Sequence, residues 1–522
     1  MFTEKDFLHV DGTRIVNQKG EAVMLRGTNL GGWLHREGWM DGAGACLLPL
    51  PVKAARDTET GVELELDRIC RCNRLRFAAT TGETFQVESS LDGENWVARA
   101  EGRFDAVGKS ALCNMRPAPY IPGVNVYNEG IFVEGDTLHS NEFFAKYLRV
   151  SGMADPQPQR YGDIDDFTCR RILEDRFGKE RAEQLLTAYQ ERYITHDDLL
   201  YIKALGLNTV RLPVYWQELV NADGTFKPNA WENIDWLIKE CRELELYIIL
   251  DYHGAPGGNT MGSITAGQLD SNGLWTNPDY QKMSCDIWKA ISNRYRDEPA
   301  IAIYDLLNEP CALPVSFEDA PPAGETSANL SAAMYFSLPE VLKAPVTALY
   351  QRLRGAVLES GDRHIQCMQL FADLELLPAP ETLGWDNVVY QVHCYPLYDF
   401  RDHDKMAAGM REYEEKLREY SMKWAVPVLA GEFCCWGFPD IWQHWLDTLN
   451  ELGIHWTGWA YKNTDPAHED FWALWYGFDG EFADYLRDSY ETILAKWQGF
   501  STNHYKKHHK LEELFRSAAK HS

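Results

Sequence analysis

The sequence predicts an α/β protein: a (β/α)8 barrel with an all-β, jelly-roll-like domain inserted in the loop after the first strand. Three observations carry this. Eight short apolar runs alternate with segments of helical period, as a parallel sheet covered on both faces requires. Between about 45 and 155 the expected helix is replaced by period-two alternation. The apolar runs deliver polar or aromatic side chains at their ends, where a barrel of this kind gathers its chemistry.

The elements follow in order. "FLHVDGTRIVNQKG" at the N-terminus reads as a hairpin, with turn signals at Asp11-Gly12 and Lys19-Gly20. "VMLRGTNL" is then the first buried strand, near 24–30. "VELELDRICRCNRLRFAAT", "TFQVESSLDGENWVARAEGRF" and "FFAKYLRVSG" alternate apolar and polar residues, with a turn at Leu91-Asp92-Gly93. Linker-like Pro and Gly clusters at 49–51 and 152–162 border this insert.

From 193 the strand and helix units repeat. "YITHDDLLYIKALG" is a helix opened by a capping box of Thr195 and Asp198 and stopped by Gly206. Further strands are expected near 207–213, 247–253, 301–309, 364–371, 388–394, 427–433 and 454–461. No GxGxxG follows the first strand, which argues against an open dinucleotide-binding sheet. The expected domains are 1–44 and 156–498 for the barrel, 45–155 for the insert, and a basic tail at 499–522, of which 505–522 is read as a solvated helix rather than a docking segment.

The composition narrows the function. A net charge of −27 repels phosphate backbones, so nucleic acid is not an expected partner. The 18 Trp either fill the core or line a sugar site. "MFTEKDFLHV" has charges where a signal peptide needs an apolar core, and no run of about 18 apolar residues occurs, so no membrane span and a cytoplasmic location are expected. The 12 Cys are scattered; Cys70-x-Cys72 and Cys434-Cys435 lack zinc-site spacing, so free thiols are expected. Neither a metal nor a cofactor is expected, since the first strand lacks His-x-His and His253 and His393 show no carboxylate at ligand spacing. Oligomeric state is not readable.

"YDLLNEP" and "VLAGEF" each end an apolar run in a carboxylate, Glu309 and Glu432. Two such acids facing across a pocket suit glycoside hydrolysis: one donates a proton to the leaving oxygen and the other attacks or activates water. The remaining strand tips carry Asn29, Arg211, His253, Asn308, His393, Tyr395 and Trp459.

"LRGTNLGGWL", "LGLNTVRLPV", "DYHG", "LLNEP", "VHCY", "GEF" and "WTGWAYK", in order at successive strand ends, resemble glycoside hydrolase family 5. The resemblance implies Glu309 as general acid/base and Glu432 as nucleophile. It implies that Arg211 braces the nucleophile and Tyr395 touches it. Asn308 would bond the sugar 2-hydroxyl, His253 and His393 would serve subsites, and Trp459 would be a sugar platform. "NLGGWLHREGW", with Asn29, Trp33 and Glu37, is similar to the exo-β-1,3-glucanase branch, where a glutamate at the position of Glu37 binds the terminal glucose. The expected activity is a retaining β-glycosidase, exo-acting on β-glucosides or short β-1,3-linked gluco-oligosaccharides. A β-glycosidase for a glycolipid or plant glycoside is the alternative within the family, and a non-catalytic carbohydrate-binding protein the alternative outside it. The insert resembles a discoidin-type module of carbohydrate-binding family 32, expected either to wall the site or to serve as a scaffold. The long, Pro-rich loop at 311–344 and the Phe433-Cys434-Cys435-Trp436-Gly437 run depart from the family pattern.

Overall fold

The computed structural model describes residues 2–38, 40, 45–104, 131–260, 267, 268, 271, 273–311, 339–370, 377–396, 402–464 and 473–520. Most of the loop at 311–344 therefore lies outside the described residues. The chain divides into a barrel unit and a second unit holding Gly44–Ile164.

Eight parallel strands close the barrel: β1 (Arg26–Asn29), β2 (Thr209–Tyr215), β3 (Tyr247–Gly254), β4 (Ile301–Asp305), β5 (Ile365–Gln369), β6 (Val388–Cys394), β7 (Val428–Phe433) and β8 (His455–Gly458), with β8 returning to β1. Every residue of β2, β3, β4 and β7 is buried, which is why these segments read as unbroken apolar runs. Gly27 is forced by closure, because a Cβ there would lie 2.0 Å from the Thr209 carbonyl oxygen. The N-terminal hairpin is present, with His9–Asp11 paired to Arg14–Val16.

Besides two four-residue turns of helix, the described residues form ten longer helices: α1 (Asp166–Phe177), α2 (Lys179–Tyr193), α3 (His196–Ala204), α4 (Glu232–Leu244), α5 (Pro278–Tyr295), α6 (Pro339–Leu358), α7 (His403–Trp424), α8 (Pro439–Glu451), α9 (Tyr490–Gln498) and α10 (His509–Ala518). The capping box of α3 forms as predicted: the Thr195 N–H and hydroxyl both donate to Asp198 Oδ2 at 2.8 Å. Among the described residues no helix is long and apolar enough to cross a membrane.

Two readings change. The basic tail is not a solvated helix: α10 buries Leu511, Leu514, Phe515 and Ala518. Phe515 packs against Trp442 and Trp456 and sits where a Cβ on Gly458 would come within 2.6 Å of its ring. The charges occupy the opposite face of an amphipathic helix. Likewise β4 ends at Asp305, so Glu309 lies beyond the strand, at φ +41° in the left-handed region.

The second unit is an antiparallel sheet of eight strands. Its order is 45–49, 157–163, 61–76, 137–151, 84–90 and 97–103, with 52–57 and 132–134 pairing onto 61–76 and 137–151. Leu66, Cys72, Val87, Ala145, Leu148 and Val150 are buried in its core. The turn at 91–93 forms, with Asp92 Oδ1 accepting from the N–H groups of Glu94 and Asn95, both at 2.8 Å. Most of the stretch read as the second linker is strand: 157–163 pairs with 45–49, Ala45 opposite Asp163, while 50–51 of the first lies between two strands.

Candidate active site

Glu309 and Glu432 come from different strands and meet. With His393 they form a group in which one carboxylate oxygen of each acid and a ring nitrogen lie within 4.8 Å of one another. His393 Nδ1 is 2.7 Å from Glu309 Oε1 and 3.4 Å from Glu432 Oε2. Both acids are nearly buried, at 6% and 4% exposure.

Local structure explains how each acid is presented. The register between β6 and β7 shifts between Val392 and His393, pairing His393 with Glu432 and turning both toward one side. Gly431 must lack a side chain, since a Cβ would lie 2.1 Å from Gln391 Oε1. Glu309 is held by the loop after β3. Asn259 Nδ2 donates to the Asn308 carbonyl at 2.5 Å, and the Thr260 hydroxyl donates to the Glu309 carbonyl.

Beneath the acids lies a buried polar layer built around Arg211. Its guanidinium donates to Glu432 Oε1 at 2.6 Å, Asn29 Oδ1 at 3.0 Å, Asn308 Oδ1 at 2.8 Å and Asp305 Oδ2 at 2.9 Å, and lies 3.0 Å from Asp251 Oδ2. Burial alone would lower its pKa; Asp251, Asp305 and Glu432 outweigh that and hold the cation charged. Gln369 and Gln391 donate to Asp305 at 3.1 and 2.7 Å. Burial pushes the Asp251 carboxyl well above the usual range, Arg211 opposing and Asp305, Glu432 and Glu309 adding to it. Burial also raises Glu432, with His393 and Arg211 pulling it back and Glu309 pushing it up. Of the charged neighbours, Arg211 lies directly against Glu432 and favours that acid's anion.

Tyr395 donates its hydroxyl to Glu432 Oε2 at 3.0 Å. His253 is buried and its pKa is depressed well below the usual value, by burial first and then by His35 and Arg211. Its Nδ1 faces Asp251 Oδ2 at 2.5 Å, and Asn308 Nδ2 lies 3.3 Å from its Nε2. The network assigns the neutral ring a proton on Nδ1, leaving Nε2 as acceptor. Glu37 Oε1 is 3.8 Å from that Nε2. The Trp459 indole lies nearly parallel to the His253 ring, at 15° and 5.7 Å.

Nine of the eleven residues singled out from the sequence therefore converge on one place. Two are scaffold. Trp33 is 1% exposed, donates to the Gln190 carbonyl at 2.9 Å and packs edge-on against Trp236. Asn29 is fully buried, its amide donating to the carbonyls of Gly431, Thr457 and Gly458 at 3.0–3.2 Å, so it braces Arg211 and strand closure. The expectation that His253 and His393 lack carboxylate partners also fails: Asp251, Glu37 and Glu309 supply them. Asp251, Asp305, Gln369, Gln391, Asn259 and Thr260 were not foreseen. The signal for the first four was a polar residue in a strand made mostly of apolar and aromatic ones.

A closed parallel barrel carrying two buried glutamates bridged by a histidine defines a (β/α)8 glycoside hydrolase. Residues 177–465 match the family model described as Cellulase (glycosyl hydrolase family 5). The chain belongs to glycosyl hydrolase family 5. It is 25% identical over 281 residues to a β-xylosidase of Phanerodontia chrysosporium, covering 51% of this chain and 53% of that protein. It is 24% identical over 288 residues to a probable glucan 1,3-β-glucosidase A of Aspergillus niger, covering 52% and 58%. The chain spans about half the length of these curated relatives. Among solved structures, a rutinosidase from Aspergillus niger aligns at a TM-score of 0.42 and 15% identity, covering 59% of this chain and 84% of that one.

Proposed function

We propose that this protein is a retaining β-glycosidase acting at the non-reducing end of β-glucosides or short β-linked gluco-oligosaccharides. The observation that carries the reading is that one carboxylate oxygen of Glu309 and one of Glu432 lie within 4.8 Å, too close to leave the wide gap of an inverting pair. Double displacement needs carboxyl groups about 5–5.5 Å apart, whereas inversion needs about 6.5–9.5 Å to admit a water.

The roles follow from the surroundings. Glu432, held by Arg211 and Tyr395, attacks the anomeric carbon as the anion. Glu309, against His393, protonates the departing oxygen, then takes a proton from the water that cleaves the glycosyl ester. Asn308 has its oxygen fixed by Arg211, which leaves its NH2 for the sugar 2-hydroxyl. Glu37 supplies a hydroxyl acceptor for the terminal sugar beside His253, and Trp459 gives it an apolar face. The β-1,3 linkage rests on the likeness of 29–39 to the exo-glucanase branch and on the printed activity of the Aspergillus niger relative.

The deciding experiment is a screen over β-linked disaccharides and nitrophenyl β-glucoside, with proton NMR of the first product anomer. The β-anomer appearing first supports the proposal. The α-anomer overturns retention, and no hydrolysis of any substrate leaves a carbohydrate-binding protein.

A further inference from the structure

Beside the paired acids a second group of ligating side chains gathers: His35, Glu37 and His253. All three are buried, and one ligand atom of each lies within 4.8 Å of the others. His35 is the anomaly. It is 1% exposed, and neither ring nitrogen has a hydrogen-bond partner among the described residues. Leaving a buried polar group unpaired is costly, so an orphaned buried imidazole points to an absent partner. Its ring lies 4.5 Å from that of His253 and 5.6 Å, edge-on, from Tyr215.

His253 is already set as a ligand. Asp251 takes its Nδ1 at 2.5 Å, and Nε2, which Asn308 Nδ2 approaches at 3.3 Å and which an ion would take over, lies 3.8 Å from Glu37 Oε1. A carboxylate on the far nitrogen is how proteins orient a metal-binding histidine and raise its basicity. Ligands bound at about 2.0–2.1 Å around a tetrahedral ion sit about 3.3 Å apart, so a shift of about half an ångström closes this pair on one ion. Two imidazoles and a carboxylate suit zinc rather than calcium or magnesium, which prefer all-oxygen shells.

We propose that His35, Glu37 and His253 form a three-ligand Zn2+ site, with the fourth position left to water or a sugar hydroxyl. Because Glu37 is also the proposed sugar contact beside His253, the ion and the terminal sugar compete. That second clause rests on the proposed function; the binding site does not.

The test uses the full chain stripped with a chelator. Zn2+ is titrated by calorimetry and Co2+ by absorption, against His35→Val and the polar companion His35→Gln, with circular dichroism to confirm folding. The expected result is a Co2+ spectrum of a four-coordinate nitrogen and oxygen site without thiolate charge transfer. Both variants should bind about a hundredfold more weakly. Equal affinity in either folded variant, or a thiolate band placing the ion on cysteines, overturns the site. Competitive inhibition of nitrophenyl β-glucoside hydrolysis by Zn2+ supports the second clause. Binding without inhibition overturns that clause alone.

Discussion

Arg211 and Glu432, 221 residues apart in the chain, meet at 2.6 Å with the guanidinium wholly out of water. The same guanidinium reaches Asn29, Asn308, Asp251 and Asp305, so it fixes the position of Glu432 against three strands and the loop after β4. Lysine carries the charge but not the planar fork. Arg211→Lys is expected to lower kcat by about 10²–10³-fold, the scale for losing one preorganised electrostatic contact, and to lower the melting temperature. Wild-type kinetics in that variant would remove the bracing role.

The two acids should fail differently. Glu432→Ala is expected to lose on the order of 10⁴-fold in kcat and to regain part of it with azide, giving an α-glycosyl azide from an activated β-glucoside. Glu309→Ala should keep most of its rate of glycosyl-ester formation on a dinitrophenyl glucoside, which needs no proton, and lose it on a disaccharide. A loss of the same size on both substrates would contradict the assignment.

Burial lowers His455 from 6.5 to about 3, and its Nδ1 accepts the Leu25 N–H at 3.1 Å. The folded protein thus takes up this proton less readily than the unfolded chain. The contribution is complete above pH 6.5 and is lost as pH falls toward 3, at about 1 kcal/mol per unit. His455→Asn, which keeps an acceptor near Nδ1, should flatten the fall in melting temperature between pH 7 and pH 5. Parallel curves for the two proteins would argue against it.

Ala45 and Asp163 are paired across antiparallel strands, which puts their Cα atoms about 5 Å apart. Replacing 46–162 with a two-residue turn should therefore leave a folded barrel active on nitrophenyl β-glucoside. Cutting at 155 instead leaves 157–163 without most of its sheet and should aggregate. Comparing rates on gluco-oligosaccharides of increasing length tests whether the insert limits substrate length. An unchanged preference would show that it does not.

The barrel was legible because strands buried on both faces cannot alternate, and runs such as "YIILDYH" show this directly. The acids were legible because a carboxylate closing such a run has few structural uses. What sequence could not separate is a strand-tip side chain aimed at the pocket from one aimed into the wall. Asn29 and His253 look equivalent in the chain, yet the first is consumed by three carbonyls and the second presents a nitrogen. Asp305 and Gln391 were hidden for the converse reason: Asp305 accepts from an arginine of another strand and Gln391 donates to Asp305, so each partner lies far away in the chain. The strand 157–163 was masked by Pro158 and Gly162, which signal a break unless a neighbour supplies the ladder.

Phe515 wedges against β8 at Gly458, one residue before the tryptophan beside His253. A protease nick near 508 would thus be felt at Trp459, the proposed sugar platform, through a single glycine. Affinity handles or fusion partners joined at that end belong behind a flexible spacer. A truncation series there should register first as a weakened Michaelis constant, before any drop in solubility.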